Sequence, residues 1–469
     1  MSERSLPLDA LRGFAILLMV MSGRIPFGVL PDWMYHAQLP PPKHVFTPTL
    51  PGITWVDLVF PFFLFALGAA IPLALRPRLA SGASWVAISG GIAKRGLLLV
   101  FFAVYVMHIR PTNMAASPGL AEWALSLAGF LLLFPMLATL PPAATAGEKR
   151  RAQLARMLGW LGGVLVLMAF TAKDGSGFSV KRSDIIILVL ANVAVTGALI
   201  WWWTRDAPHW RLALLVFLLA LRLTQSTPGL GQWLWNLSPW PWLAKVYFQQ
   251  YLFIVLPATL VGDWLARWRG GERAGAPPQP PDRALRWVAG AGPLLIFITL
   301  IGLKGRWGVA STLVAAAVCV LAARALHTSR HAAAPQLATL FRWGVFWLMA
   351  GFAFEPFEGG IRKDSPTLSY YFVTTGLACF TLLSFMVWMD LARWRRGFSL
   401  AVAAGQNPLL VYAGIHSLLV PLLGFTGLKA VAGWLAPQPW LGVLRAWVET
   451  WALAWVAAWS VRRKLLLKT

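Results

Sequence analysis

The chain has 469 residues, of which 58% are hydrophobic and only 12% are charged. Soluble domains are about 45–50% apolar and about 25% charged, so this composition excludes a water-soluble globular protein. The formal net charge of +24 invites a nucleic-acid reading. However, the Lys and Arg residues cluster in short segments between apolar runs, which is the pattern of a membrane topology signal. We therefore predict an all-α, polytopic membrane helix bundle with the lipid bilayer as a partner and no nucleic acid.

Apolar runs close to the roughly 20 residues that cross a bilayer recur along the whole chain. The excess of Lys and Arg in alternate connections predicts that the N- and C-termini are both cytoplasmic. A Gly/Pro-rich, charged segment at 268–285 reads as a cytoplasmic linker between membrane bundles at 1–267 and 286–469, which form one integral membrane unit. We predict about 14 spans (range 11–14), at residues 9–22, 53–75, 93–109, 120–140, 156–171, 184–203, 209–224, 247–267, 286–303, 307–324, 340–357, 367–390, 400–423 and 440–461.

The first outer connection, residues 23–52, is a proline-rich loop that contains His36 and His44. It leads into the second span, which carries Asp57 in its first turn. A carboxylate at the edge of the bilayer is costly unless it is paired or functional. Because imidazole accepts and passes on protons near neutral pH, we take a histidine–carboxylate pair as the starting hypothesis for the active centre.

Cations at the cytoplasmic ends of spans are candidates to bind phosphates. Arg12 lies three residues after Asp9, so the two can pair on one face of the first span. Lys94 and Arg95 begin the third span. Most such cations only place their charge at the membrane interface, but arginine is also well shaped to hold a phosphate.

The last third of the chain adds polar residues near the predicted outer face and within one span. Glu355 ends a span, and Lys363 lies in the charged outer turn that follows. The next-to-last span contains Asn407, Tyr412 and His416. Each can be an ordinary solvated or hydrogen-bonded group, and each can also contribute to the outer site. The two cysteines fall in spans and have no metal-binding spacing, so no metal is expected.

Six segments carry a resemblance to a known family. They are LDALRGFAILLMVM at the first span, GITWVDLVFPFFLFALG at 52–68, KRGLLLVFF at 94–102, YLFIVLPATLVGDWL at 251–265, IRKDSPTLSYYFVTTGLA at 361–378 and GQNPLLVY at 405–412. Together they resemble the heparan-alpha-glucosaminide N-acetyltransferase family and its bacterial relatives. The DLVFPFF block is the most specific of the six.

The resemblance implies a transmembrane acyltransferase of the bacterial inner membrane. Acetyl-CoA from the cytoplasm would be the co-substrate, and an amino sugar or other glycan on the outer side would be the acceptor. In this family an outer His followed by Ala precedes a GxTxxD motif and is the expected general base or acetyl acceptor. His36 matches the dipeptide, whereas His44 lies closer to the expected spacing before Asp57, and we favour His36. The chain has Ser22–Gly23 where the family tends to carry Asn after the first span.

The chemistry of acyl transfer suggests roles for the remaining candidates. Asp57 would orient the histidine, and His416 would join the catalytic group. Arg12, Lys94, Arg95 and Asn407 would bind the CoA donor, with Arg95 matching a family arginine. Glu355, Lys363 and Tyr412 would contact the acceptor. Asn407, Tyr412 and His416 are also the predicted donors to the developing oxyanion.

Two other functions fit the same composition. One is a proton-coupled secondary transporter of a sugar or organic anion, in which Asp57, His416 and Glu355 relay protons. The other is a non-catalytic membrane scaffold. The sequence does not determine the acceptor or the oligomeric state, so a homo-oligomer stays among the expected partners.

Overall fold

The structure is a computed structural model that describes residues 4–137, 145–270 and 279–468. Within these segments the regular secondary structure is helical, and the chain forms no β-strand beyond one isolated bridge between Trp240 and Ala244. The described chain thus confirms the all-α class that the composition predicts. Residues 271–278 of the predicted linker lie outside the described residues.

Nineteen α-helices follow one another in the described chain, with the longest connection between the first two. Their bounds are α1 Leu6–Ser22, α2 Trp55–Ala80, α3 Trp85–His108, α4 Pro111–Met114, α5 Leu120–Leu137, α6 Ala146–Ala169, α7 Ile185–Trp203, α8 His209–Leu223, α9 Leu230–Trp235, α10 Leu252–Gly270, α11 Arg283–Lys304, α12 Gly308–Thr328, α13 Ala334–Phe357, α14 Leu368–Phe385, α15 Ser399–Gln406, α16 Pro408–Gly414, α17 Val420–Phe425, α18 Leu428–Leu435 and α19 Pro439–Arg462. Short 3₁₀ turns at Asp32–Met34, Val246–Tyr251 and Arg396–Phe398 and π-helical turns at Met386–Leu391 and Ile415–Leu419 complete them.

Ten segments of the described chain are long and apolar enough to cross a membrane, fewer than the 14 spans expected. They are α2, α3, α5, α6, α7, α11, α12, α13, the continuous segment Leu368–Leu391 and the segment Pro408–Phe425. The others predicted as spans fall short for physical reasons. Helices α1 and α8 have only 17 and 15 residues, while α10 and α19 carry charged side chains within their length. In the predicted span 400–423 the helix is interrupted at Asn407, and the part that follows, Pro408–Phe425, is the one counted among the ten. The protein is nonetheless a multi-pass membrane protein by its helices.

Helices α2 and α14 form the centre of the bundle. Of the most apolar stretch of each, 78% and 89% of the residues are buried, against 17% for α6 at the periphery. Helix α2 packs against α1, α10 and α14, and α14 packs against α11 and α13. Helix α1 also packs against α15. Helices from both sides of the predicted linker are therefore interleaved in one core.

Two glycines allow α1 and α15 to approach closely. A Cβ atom on Gly13 would overlap the carbonyl group of Ala401, and one on Gly405 would overlap the carbonyl group of Asp9. Small residues at helix contacts are a common means of close packing in membranes. The contact fixes the depth at which Asp9 and Arg12 lie in the bundle.

Helix α2 connects two ends of the molecule that carry different chemistry. Its 26 residues span about 39 Å at a rise of 1.5 Å per residue. The loop with His36 lies at its first end, near Asp57, and a group of Arg and Lys side chains lies around its last turns. We call these the histidine end and the cation end.

Candidate active site

Asp57 lies at the start of α2 with its two carboxylate oxygens in different surroundings. Oδ2 accepts hydrogen bonds from the backbone N–H groups of Thr54 (2.9 Å) and Ala37 (3.3 Å). The first of these caps the helix, because Thr54 immediately precedes it. Oδ1 is turned toward His36 and is fully buried with the rest of the side chain. The carboxylate is thus held in place by backbone donors while one oxygen stays available for the histidine.

The loop that carries His36 is fastened on both sides of the histidine. The Tyr35 hydroxyl donates to the carbonyl of Pro26 (2.8 Å), and the Thr54 hydroxyl donates to the carbonyl of Tyr35 (2.7 Å). The Gln38 amide donates to the carbonyl of Leu50 (2.8 Å). The prolines restrict the backbone of this loop. The hydrogen bonds of Tyr35 and Gln38 hold the backbone of His36 close to α2.

His36 lies between two carboxylates. Its Nδ1 is 2.8 Å from Asp57 Oδ1, a distance typical of an ion pair, although the two atoms are not aligned as in a hydrogen bond. Its Nε2 is 2.5 Å from Oδ2 of Asp364. The imidazole is 14% exposed and the Asp364 carboxylate 40% exposed. The site therefore has a buried acid on one side of the ring and a solvent-facing acid on the other.

Lys363 supplies a positive charge to the same group. Its Nζ lies 3.7 Å from Asp57 Oδ1, and it precedes Asp364 in the connection between α13 and α14. With His36 protonated, the two cations and the two carboxylates cancel. This neutrality matters because isolated charges in a site with little water are costly.

The balance of these interactions favours the charged imidazole. Burial acts to lower the pKa of His36, but the hydrogen bond to Asp364 and the contact with Asp57 outweigh it, so the pKa is raised. Burial acts to raise the pKa of Asp364, but its hydrogen bond to His36 and the charge of Lys363 lower it overall. The two shifts have the same origin, since each charged partner stabilises the charged form of the other.

A tyrosine on α14 donates a hydrogen bond to a backbone carbonyl of α2 that has no helical donor. Pro61 has no N–H group, so it cannot donate the helical hydrogen bond to the carbonyl of Asp57 four residues earlier. The hydroxyl of Tyr370 donates to that carbonyl instead, at 2.8 Å. The first turn of α2 is in this way joined to the central helix α14.

His44, the second candidate in the loop, lies apart from the carboxylates. Its ring contacts the rings of Phe27 and Tyr35, with centroids 4.0 and 4.7 Å apart, and its Nδ1 is 3.0 Å from the carbonyl of Leu39. Between the two histidines that the sequence leaves open, the geometry favours His36 as the one paired with Asp57.

Asn407 and Tyr412, both predicted as site residues, have hydrogen-bond partners away from Asp57. The Asn407 amide donates to the Ser460 hydroxyl and to the carbonyl of Leu465 and accepts from the N–H of Leu467. The Tyr412 hydroxyl donates to Asp184 Oδ2 (2.7 Å). His416 lies in the π-helical turn Ile415–Leu419 that follows α16.

Glu355 is also paired away from Asp57. Its Oε1 accepts a hydrogen bond of 2.9 Å from Arg306. Across the described chain, no hydrogen bond or ion pair joins Glu355, His416 and Asp57, the three members of the transporter relay. The same part of the chain contains no cluster of three or more His, Cys, Asp or Glu side chains arranged to hold a metal ion.

At the cation end, a cavity of about 530 Å³ is lined by five basic side chains. Among the described residues that line it, none is acidic, and Trp160 and several aliphatic side chains complete its wall. The basic residues are Arg78, Lys94, Arg95, Arg156 and Lys468. Asn407 does not line this cavity, but it holds the segment that brings Lys468 there.

Arg12 lines a second cavity, of about 660 Å³, on another side of α2. It lies 3.7 Å from Asp9 and donates to the carbonyl of Gly405 at 3.2 Å. Asp9 also pairs with Arg4. Ala74 of α2 lines both cavities. The second cavity is thus partly neutralised by its own carboxylate.

Asp364 is the residue of the histidine end that the sequence did not single out. Its position in a loop with several charges is typical of solvated side chains. The signal that could have found it is the IRKD segment itself, in which Lys363 and Asp364 directly precede a span rich in Tyr and Thr.

Two comparisons with known proteins bear on this site. Residues 4–265 match a family described as a domain of unknown function, DUF5009. The human protein named heparan-alpha-glucosaminide N-acetyltransferase is 32% identical over 100 residues. That match covers 21% of this chain and only 13% of the human protein, so the likeness to it is partial. Because the family match extends over more than half of its residues, the chain belongs to the DUF5009 family.

Proposed function

We propose that the protein is a transmembrane acyltransferase that moves an acetyl group from acetyl-CoA to an amino sugar or other glycan. The observation that carries this proposal is the position of His36 between a buried and a solvent-facing carboxylate. The partial likeness to a named N-acetyltransferase supports the same reaction class. The donor would bind at the cation end and the acceptor at the histidine end.

His36 has the chemistry for acyl transfer at its Nε2 atom. Asp57 favours the tautomer with a proton on Nδ1, which leaves Nε2 to accept a proton from the acceptor or to carry the acyl group. For either role the Nε2 atom must first be released by Asp364. An acceptor with an ammonium group would compete for that carboxylate, because its positive charge matches the solvent-facing acid.

The basic cavity at the cation end suits the donor. CoA carries several phosphate groups, and five cations without a lining acid provide a site for them. Trp160 offers an aromatic face at the same place. Of the predicted donor ligands, Lys94 and Arg95 are in this cavity, whereas Arg12 is in the partly neutralised one.

The proposed reaction is tested with the full chain purified in detergent, labelled acetyl-CoA and a panel of amino sugars. We expect transfer by the wild type and a loss of about 10²-fold or more in His36→Ala, since general acid–base groups contribute roughly 10²–10⁴-fold. His44→Ala is the matched control and should keep its activity. Full turnover by His36→Ala would reject the role of His36, and a wild type that neither binds nor uses acetyl-CoA would favour a transporter.

The donor site is tested separately by binding. We expect Arg95→Ala to weaken CoA binding by roughly 10- to 100-fold, because a hydrogen bond to a charged group contributes about 1.5–3 kcal/mol. His36→Ala should bind CoA normally, as it lies at the other end of α2. Arg12→Ala is the comparison for the second cavity. If Arg12→Ala lowers the affinity and Arg95→Ala does not, the donor binds in the other cavity.

A further inference from the structure

The basic cavity at the cation end receives one side chain from the second half of the chain. All its other described lining residues lie between Ile71 and Ala198, on α2, α3, α5, α6 and α7. Lys468 follows α19 and lines the cavity together with them. Its presence there therefore depends on contacts between parts of the chain that are distant in sequence.

The side chain of Asn407 holds the segment that follows α19. Its amide nitrogen donates to the hydroxyl of Ser460 (2.9 Å) and to the carbonyl of Leu465 (3.0 Å). Its oxygen accepts a hydrogen bond of 3.1 Å from the backbone N–H of Leu467. Both Asn407 and Leu467 are buried. A segment after a helix is poorly ordered unless it is attached to the rest of the fold, and here three hydrogen bonds attach it.

The interruption between α15 and α16 makes Asn407 available for these contacts. Pro408 has no N–H group, and it disfavours the helical conformation in the residue before it. Asn407 accordingly has φ −133° and ψ 57°, outside the helical region. At the other end of the attached segment, the N–H of Lys468 donates to the carbonyl of Leu137, at 3.2 Å. Leu137 ends α5 and lines the basic cavity, so the segment is fastened to the cavity wall.

We propose that Lys468 binds a phosphate group of the donor and that Asn407 is the residue that positions it. The proposal rests on the acyltransferase function proposed above. An ammonium group is a compact charge that suits a phosphate, and four other cations line the same cavity with no acid among its described lining residues. Because the backbone at Lys468 is already held, binding orders less of the chain than it would in an unattached segment.

A second lysine in the same segment shows the ordinary alternative. Lysines near the end of a membrane helix commonly keep their charge in water and bind nothing. Lys464 is exposed and lines neither of the two cavities at the cation end. It has the same charge as Lys468 and lies four residues before it, so it is the matched control.

The binding test uses the full chain in detergent and titration calorimetry with CoA. We expect Lys468→Ala to weaken binding by about 5-fold, less than Arg95→Ala, because Lys468 is exposed and water screens part of its charge. Lys468→Arg should keep most of the affinity, and Lys464→Ala should keep all of it. Asn407→Ala should lose as much as Lys468→Ala, and the double variant should lose no more than either, since both changes remove the same contact.

Two further measurements distinguish a phosphate ligand from a structural group. The Kd for CoA should depend less steeply on salt concentration in Lys468→Ala and in Asn407→Ala, but not in Lys464→Ala, because salt screens the contact that the first two have lost. In turnover, the KM for acetyl-CoA should rise at unchanged kcat, since a phosphate contact stabilises the bound donor and the transition state equally. Asn407→Ala also loses three hydrogen bonds and should unfold at lower temperature, so Lys468→Ala carries the test if that variant does not fold.

Unchanged CoA affinity in Lys468→Ala would overturn the inference and leave the proposed function standing. A loss of equal size in Lys464→Ala would also overturn it, because the effect would then come from net charge alone. Inorganic pyrophosphate is the second probe, since it carries phosphate groups without a thioester. A wild type that binds pyrophosphate through Lys468 but does not bind acetyl-CoA would reject the proposed donor and support the anion site. A wild type that binds neither would reject both.

Discussion

At the scale of single residues, the proton on His36 links the structure to pH. Because the pKa of His36 is raised, its stabilising contribution is complete below about pH 6.5 and is lost as pH rises through the pKa of the folded protein. Because the pKa of Asp364 is lowered, its contribution is complete above about pH 3.9 and is lost as pH falls through its folded pKa. The pair is therefore strongest between these two limits.

The raised pKa of His36 also determines the pH range in which its imidazole can act as a base. We expect kcat/KM for transfer to rise with pH along a limb that lies above pH 6.5, since only neutral His36 accepts a proton. Asp364→Asn removes one of the groups that raise the pKa, so its limb should move to lower pH. Asp32→Asn is a control in the same loop as His36, since Asp32 pairs with Lys304 instead. A limb that stays in place in Asp364→Asn would contradict this prediction.

The residue scale also shows what the sequence reveals about the site. An acid at the bilayer edge with a histidine nearby predicts a pair, and the structure brings Asp57 and His36 to 2.8 Å. Asp364 was not predictable in this way, because it lies more than 300 residues away in the chain and its loop resembles ordinary charged surface.

At the scale of helices, the close contact of α1 and α15 depends on glycine. In Gly405→Ala the added methyl group would overlap the carbonyl of Asp9, so the helices would have to separate. We expect a loss of about 1–3 kcal/mol in the free energy of unfolding, the usual cost of overpacking. The measurement is thermal or denaturant unfolding in detergent.

Gly433 in α18 provides the control for that variant. A Cβ atom there would meet nothing within 4 Å, so Gly433→Ala should be neutral or stabilising by up to about 1 kcal/mol through helix propensity. Equal effects of the two substitutions would show that the α1–α15 contact is looser than the structure indicates.

Hydropathy is enough to identify some of the helices as membrane spans but not others. Long apolar segments such as α2 and α7 are evident from composition. Helices α10 and α19 contain charged side chains, which are explained by the side chains that pair with them in the folded protein. In α10, Asp263 is held by Arg76 and by the buried Arg211. The charges of such helices reflect neighbours that are distant in sequence, so the boundary between span and interior helix was not predictable.

At the scale of the whole molecule, the two ends of α2 predict that donor and acceptor enter from opposite sides. With the protein reconstituted in vesicles in one orientation, we expect turnover only when acetyl-CoA and the amino sugar are on different sides of the membrane. Both reagents are charged, so neither crosses the bilayer freely. Equal turnover with both on one side would place the two binding sites at the same end.

The sequence was sufficient to predict the fold class but not the number of membrane-spanning helices. Composition alone predicts a helical membrane bundle, because so apolar a chain cannot fold in water. The order of packing was not predictable, since α1 meets α15 and α2 meets α14 across most of the chain length. These contacts depend on side-chain shape and small residues, which a hydropathy profile does not record.

The proline at position 61 has a consequence for related sequences. Proline has no N–H group to donate to the carbonyl of Asp57, and the phenol of Tyr370 donates to it instead. The residues at positions 61 and 370 should therefore vary jointly. Homologues with an ordinary residue at 61 would regain the helical bond and could dispense with that phenol. In the laboratory, Pro61→Ala should rescue much of the damage caused by Tyr370→Phe, a form of compensation that a double-mutant cycle would quantify.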